Sequence, residues 1–334
     1  MNADATAHAL EPLGFSSRQA TFLSLVARHG GYCLRRQYAS FAGIAAGKNT
    51  RAFLDSTVRS SLASRFKIRE DRGFIYHLDG RPVYRLLDLP NSPNRRDASA
   101  SLIARKIMWL DYVLAESGRN WLATPVEKVR AFVDRLQVPL ADLPQRRQRS
   151  GVLKSISKPE YFPNGQPIAI DQNDVAIFAC LLTLAGSDDF VSFLRQHAPL
   201  FKHLTSWRVV AIAPRRSRAL ENCTAQFATF LGAKATRTRE RVNELRDHFT
   251  TRRAIDRGQL ATIAAAEIEK FRTFRSRFGT SEVEDLYRQW LAHGDAALSR
   301  SSNAAPDFAP GAGTLVTHYL SHDYSQFGSM PGVA

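Results

Sequence analysis

Residues 48–60 read Lys-Asn-Thr-Arg-Ala-Phe-Leu-Asp-Ser-Thr-Val-Arg-Ser. Lys48, Asn49, Thr50 and Arg51 open this stretch, and Ser56, Arg59 and Ser60 close it. Cationic, amide and hydroxyl side chains in such density donate hydrogen bonds to phosphate oxygens and to base edges. Leu54, Val58 and Leu62 recur at helical spacing, which predicts a helix to about residue 64, capped by Asn49 or Thr50. On that helix Ser56, Arg59 and Ser60 point away from the apolar stripe. Lys67, Arg69 and Arg72 follow within the next dozen residues, and Arg35 and Arg36 precede.

Elements that would position these groups are legible on both sides. Ser16 and Gln19 form the S-x-x-Q pattern of a capping box. Phe22, Leu23 and Val26 give the helix behind it an apolar face, and Gly30 and Gly31 stop it. Leu34, Tyr38, Phe41 and Ile44 mark a second helix. After the third, Phe66, Ile68, Phe74, Tyr76 and Leu78 predict a hairpin turning at Gly73, and Arg-Pro-Val-Tyr-Arg-Leu-Leu predicts one more extended stretch. Helix, helix, turn, helix and ribbon describe a winged helix-turn-helix over residues 14–88, after a flexible 1–13. Its third helix would enter a major groove and its ribbon would reach the flanking backbone. Double-stranded DNA is the expected partner. The expected contacts are Arg35, Arg36, Lys48, Asn49, Thr50, Arg51, Ser56, Arg59, Ser60, Lys67, Arg69 and Arg72.

Composition agrees with that chemistry. The 334 residues carry 46 Lys and Arg against 31 Asp and Glu, a formal charge of +15, which attracts polyanions. An apolar fraction of 44% suffices for a packed core, and the length predicts more than one domain. Cys33, Cys180 and Cys223 are too scattered for a zinc ribbon or a disulfide framework, which fits buried thiols in a reducing cytoplasm. No apolar run approaches a membrane span, and the first residues lack the pattern of a signal peptide.

The segment Gly14–Gly43, followed by Phe74–Leu87, resembles the N-terminal winged helix of replication-relaxation proteins. The resemblance covers about the first 90 residues. It implies a setting on plasmids and bacterial mobile elements, with a role in replication, transfer or transcription control.

Residues 89–100 read as a linker, and 101–215 as a small α/β domain. Two helices start near Ser101 and Thr124, the latter with Pro125 and Glu127 completing a cap. Gln-Pro-Ile-Ala-Ile, Asp-Val-Ala-Ile-Phe-Ala-Cys-Leu-Leu and Trp-Arg-Val-Val-Ala-Ile-Ala read as buried strands, with a helix before the last. This order is similar to the core of restriction-endonuclease-like folds, so the overall expectation is an α+β chain. Such a nuclease needs carboxylates on adjacent strands and a lysine. Asn164 stands where an aspartate would serve, and the following strand offers neither Glu nor Lys. Asp171 and Asp174 are the remaining candidates for a displaced metal pair; the alternative is that they cap a turn. P-loop, nucleophile-elbow, H-E-x-x-H and G-x-G-x-x-G patterns are absent. His318, His322 and Asp323 cluster in sequence without a fourth ligand. No catalytic residue, metal or cofactor is therefore assigned. A divergent metal-dependent nuclease and a protein-interaction module remain the alternatives to a non-enzymatic DNA-binding protein.

Residues 216–298 read as basic helices. Arg237, Arg239, Arg241, Arg246, Arg252, Arg253 and Arg257 lie among acids, with Arg272, Arg275 and Arg277 beyond. Phosphate tracking, a solvated face with internal Glu–Arg pairs, and a homodimer or protein partner are all compatible with this pattern. Residues 299–334 are expected to be a flexible tail.

Overall fold

Ser16 starts the first helix as its sequence predicts. Its hydroxyl accepts from the Gln19 N–H, and the Gln19 amide oxygen accepts from the Ser16 N–H at 3.0 Å. This computed structural model describes residues 9–67, 73–146, 159–182, 188–215, 217–259, 263–278, 280–298, 312–322, 324 and 327. From the cap runs α1 (Ser17–His29), followed by β1 (Tyr32–Leu34), α2 (Arg35–Ala42), α3 (Lys48–Arg59), β2 (Ser64–Lys67) and β3 (Phe74–His77). The three strands pair antiparallel in the order β1-β3-β2. Phe22, Leu23, Val26, Phe53 and Leu54 are buried together beneath the helices.

Two expectations for the next residues are corrected. Arg81–Leu86 is a helix, α4, and not an extended stretch. Pro82 fits the first turn with its fixed φ, and Val83, Tyr84 and Leu87 are buried at helical spacing. Residues 89–100 are also not a free linker. Asn94 donates from Nδ2 to the Ala27 carbonyl at 3.0 Å, and its own carbonyl pairs with His77 Nε2 at 2.9 Å.

The helix that follows, α5 (Ala100–Ala115), is apolar nearly all round, which predicts burial on several sides. Leu110 joins the core under α1 and α3, while Ile103, Ile107 and Tyr112 join a second cluster with Ile177 and Val210. Tyr32, Leu34 and Ile75 also belong to that second cluster. The expected boundary between residues 14–88 and 101–215 is therefore not a break in packing.

Beyond α5 come β4 (Trp121–Leu122), α6 (Pro125–Arg130), β5 (Gln145–Arg146), β6 (Glu160–Tyr161), β7 (Ile168–Ile170), β8 (Ala176–Leu181), α7 (Asp188–Phe201) and β9 (Trp207–Ala213). The caps at Thr124 and Glu127 form as read. A mixed sheet has the order β10-β9-β8-β7-β4, where β10 is Gly313–Tyr319. Strands β8, β9 and β10 are parallel; β7 and β4 run antiparallel to their neighbours. The small pair β5–β6 stands apart. The expected flexible tail is corrected here, because β10 pairs with β9 over seven residues, and Leu320 and Tyr324 are buried.

Contacts divide the chain into Met1–Thr224 with Gly311–Ala334, and Ala225–Pro310. The second unit is helical: α8 (Cys223–Asp256) is its longest element, with α9 (Ala265–Phe278) and α10 (Ser281–His293). Leu245, Phe249, Phe278, Tyr287 and Trp290 form its core. Among the described residues no helix is long and apolar enough to cross a membrane.

Candidate nucleic-acid interface

The orientation of α3 decides which of its polar groups face outward. Phe53 packs against Tyr38, with ring centroids 4.3 Å apart, and edge-on against Phe15. That contact turns Thr50, Phe53, Leu54 and Thr57 inward and leaves Val58 only half-buried. Thr50 is consequently corrected as a contact residue: it is fully buried, and its hydroxyl donates to the Gly47 carbonyl at 2.8 Å. The helix starts at Lys48, so neither Asn49 nor Thr50 is its cap.

Lys48, Asn49, Arg51 and Arg59 are exposed along the outer face. Lys48 and Arg59 form no ion pair among the described residues. Ser56 is half-buried, and its hydroxyl donates back to the Phe53 carbonyl at 2.6 Å. Ser60 is exposed just past the helix end. Lys67 is exposed on β2; Arg69 and Arg72 lie outside the described residues.

Sequence reasoning missed two members of this surface. Asp55 lies between Arg51 and Arg59 on the helix. Its carboxylate accepts from Arg65 at 2.7 Å and from the Tyr76 hydroxyl at 3.0 Å, with Arg51 3.4 Å away. Partial burial alone would raise its pKa; the hydrogen bonds from Tyr76 and the nearby Arg65 guanidinium outweigh that and hold it below the usual carboxylate value. Arg65 also lies over the Phe74 ring at 4.9 Å. Asp55 thus ties α3 to the hairpin and orients two cations. The signal in the sequence was an acid within a basic helix, but its partners lie up to 21 residues away.

Arg35 is exposed, whereas Arg36 is corrected to a structural residue. Both Arg36 terminal nitrogens donate to the Asp111 carboxylate at 2.7 Å, and the Tyr324 hydroxyl donates to the same group. A bidentate guanidinium committed in this way is not free to meet phosphate.

The remaining polar clusters do other work. Asp171 accepts from the Asn173 and Val175 N–H groups at 2.8 and 3.0 Å, closing a turn, and Asp174 pairs with Arg135. Asn164 pairs with Gln196. Among the described residues no three His, Cys, Asp or Glu side chains gather to hold a metal. His318 lies edge-on to Tyr112, while Asp323 falls outside the described residues. All three cysteines are buried as free thiols, with burial pushing Cys33 up to about 12. In the helical unit Arg246 pairs with Asp295, Arg252 with Glu284, and Arg272 with Glu269. The side chains of Arg237, Arg239, Arg241 and Arg277 lie outside the described residues.

Lys128 is fully buried and donates to the Gln166 carbonyl at 2.6 Å. Burial pushes its amine down to about 7, from an ordinary value of 10.5. Between these values the unfolded chain binds the proton more readily than the folded one, so stability should rise with pH across that window. Below about 7 the full penalty is present. Lys128→Met is expected to raise stability at neutral pH by about 1–3 kcal/mol and to flatten that rise. Urea melts at about pH 6 and about pH 9 check both outcomes.

Compared with known proteins, the chain matches no family model, no curated protein and no solved structure.

Proposed function

We propose that residues 14–88 are a winged helix and that the protein binds double-stranded DNA through α3. The observation that carries this reading is the two-sided character of α3: Phe53 and Leu54 anchor one side in the core, and the other side presents Lys48, Asn49, Arg51 and Arg59 to solvent. A helix held this way projects cations and an amide outward as a rigid set, beside a hairpin that carries Arg65 and Lys67. Arg51 and Asn49 suit base edges, and Lys48, Arg59 and Lys67 suit phosphates. Asp55 serves in this scheme as a brace for Arg65 and Arg51. Arg36 and Thr50 have no part in it. A non-enzymatic role in replication, transfer or transcription control on a mobile element rests on the resemblance to replication-relaxation proteins alone.

The competing nuclease reading loses its two candidate ligands to a turn and to an arginine. A protein-interaction role for the same face is separated from DNA binding by experiment. Mobility shifts on mixed genomic fragments at low and moderate salt compare wild type with Arg51→Ala/Arg59→Ala. The double variant should bind more weakly by roughly 2–4 kcal/mol. With Arg59 on phosphate and Arg51 on a base edge, the slope of log K against log salt should shrink by about 0.9. Absence of binding at low salt in the wild type would refute the reading.

A further inference from the structure

A cleft of about 600 Å³ opens between the end of α1, the connector 88–98, α5, the start of α6 and the turn at 160–165. Leu102, Val126 and Phe162 give it apolar walls. One charged side chain that lines it lacks a counter-ion among the described residues. Lys106 is only 9% exposed and forms no ion pair among the described residues; its amine lies 5.2 Å from the Tyr32 ring centroid. Trp109 is 4% exposed; its Nε1 is closed off from solvent and has no acceptor among the described residues. They stand three residues apart on α5 and so share one face of it.

The surroundings do not explain the lysine. Arg28 and Glu127 are paired with each other, Glu160 pairs with Arg146 at 2.8 Å, and Asp88 and Asp97 are exposed. His29 is held neutral by burial. Desolvation pushes the Lys106 amine down to about 8, so it still carries its charge at neutral pH, with the face of the Tyr32 ring rather than an anion beside it. Gly30 is what lets the lysine stem lie there, since a Cβ on that residue would sit 2.8 Å from Lys106 Cβ. A mostly buried cation without a counter-ion, lining an open apolar cleft, is the feature of a site for an anion.

We propose that this cleft binds a small organic anion, a carboxylate or phosphate ester with a flat apolar body. Its anionic oxygens accept from Lys106, and its body lies against Leu102, Val126 and Phe162. The ligand would join α1 and the connector to α5, elements that also carry the core beneath α3.

The test is fluorescence titration of the full chain with 8-anilinonaphthalene-1-sulfonate, an aromatic anion, in the absence of DNA. Its outcome is therefore independent of the DNA-binding reading. Wild type should bind the dye at one site, and benzoate or inorganic phosphate should displace it. Displacement by benzoate assigns a carboxylate ligand, and displacement by phosphate assigns a phosphate ester. Lys106→Met should weaken dye binding at least tenfold without lowering the melting temperature, because it removes a mostly buried charge and retains the stem volume. Equal binding by wild type and a folded Lys106→Met overturns the proposal, and so does failure of both anions to displace the dye from wild type, which stands even if a variant does not fold.

Discussion

Ending the chain at Pro310 is expected to unfold the first unit, although its first 224 residues are retained. The strand β10 supplies the outer partner of β9 from Gly313 to Tyr319, and the Trp207 N–H donates to the Ala312 carbonyl at 2.7 Å. Without these residues β9 becomes an open edge, with apolar side chains that are now buried. Leu320 and Tyr324 are buried at 3% and 2% exposure, each representing about 1.5–3 kcal/mol of apolar burial. Tyr324 also donates to Asp111 beside Arg36, a bridge over 213 residues. Lost strand pairing, lost burial and a weakened ion pair together come to on the order of 5 kcal/mol or more, which is comparable with the whole stability of an ordinary domain. Urea melts followed by tryptophan fluorescence measure this directly. A truncated chain with the midpoint of the full one would show that β10 contributes nothing.

Gly31→Ala is expected to destabilise the first unit by roughly 3 kcal/mol or more. Gly31 has φ +82°, a left-handed conformation that costs an alanine about 1–2 kcal/mol. A Cβ there would also sit 2.3 Å from the Asn94 carbonyl oxygen and 3.1 Å from the Tyr84 hydroxyl. That carbonyl pairs with His77, and Asn94 holds Ala27, so relieving the clash means lifting the connector from the end of α1. Gly14 provides the control. It has the same φ of +82° but nothing within 4 Å of a Cβ, so Gly14→Ala should cost only about 1–2 kcal/mol. Comparing the two midpoints separates backbone strain from steric contact. Equal losses would mean that the Asn94 contact gives way freely.

Local signals carried well into the structure. The Ser16–Gln19 and Thr124–Glu127 boxes form, and the apolar runs around Ile168, Phe178 and Val209 are strands. Each depends on neighbours within a few residues or on composition alone. Errors arose where a distant partner set the outcome. The stripe Leu54–Val58–Leu62 suggested one inner face of α3, but the aromatic contact of Phe53 with Tyr38 and Phe15 chose a neighbouring one and buried Thr50. Arg36 looked like its neighbour Arg35 until Asp111, 75 residues away, claimed it. Asp55 looked out of place among cations until the hairpin brought Arg65 and Tyr76 to it.

By itself, the sequence determined a mixed chain of helices and strands with a strong basic excess, the start of α1, the three central strands and a cationic helix from about residue 50, which the structure ends at Arg59, short of the expected residue 64. These follow from periodicity, capping chemistry and composition, which act over one or two turns of chain. Only the tertiary structure decided that α5 joins the N-terminal helices to the mixed sheet in one packed unit. It alone turned a Gly-, Pro- and Ser-rich tail into an edge strand, and left Lys106 without a counter-ion in a cleft. Those outcomes depend on which distant surfaces exclude water from one another and which charges find partners there. Neither is encoded in any short window.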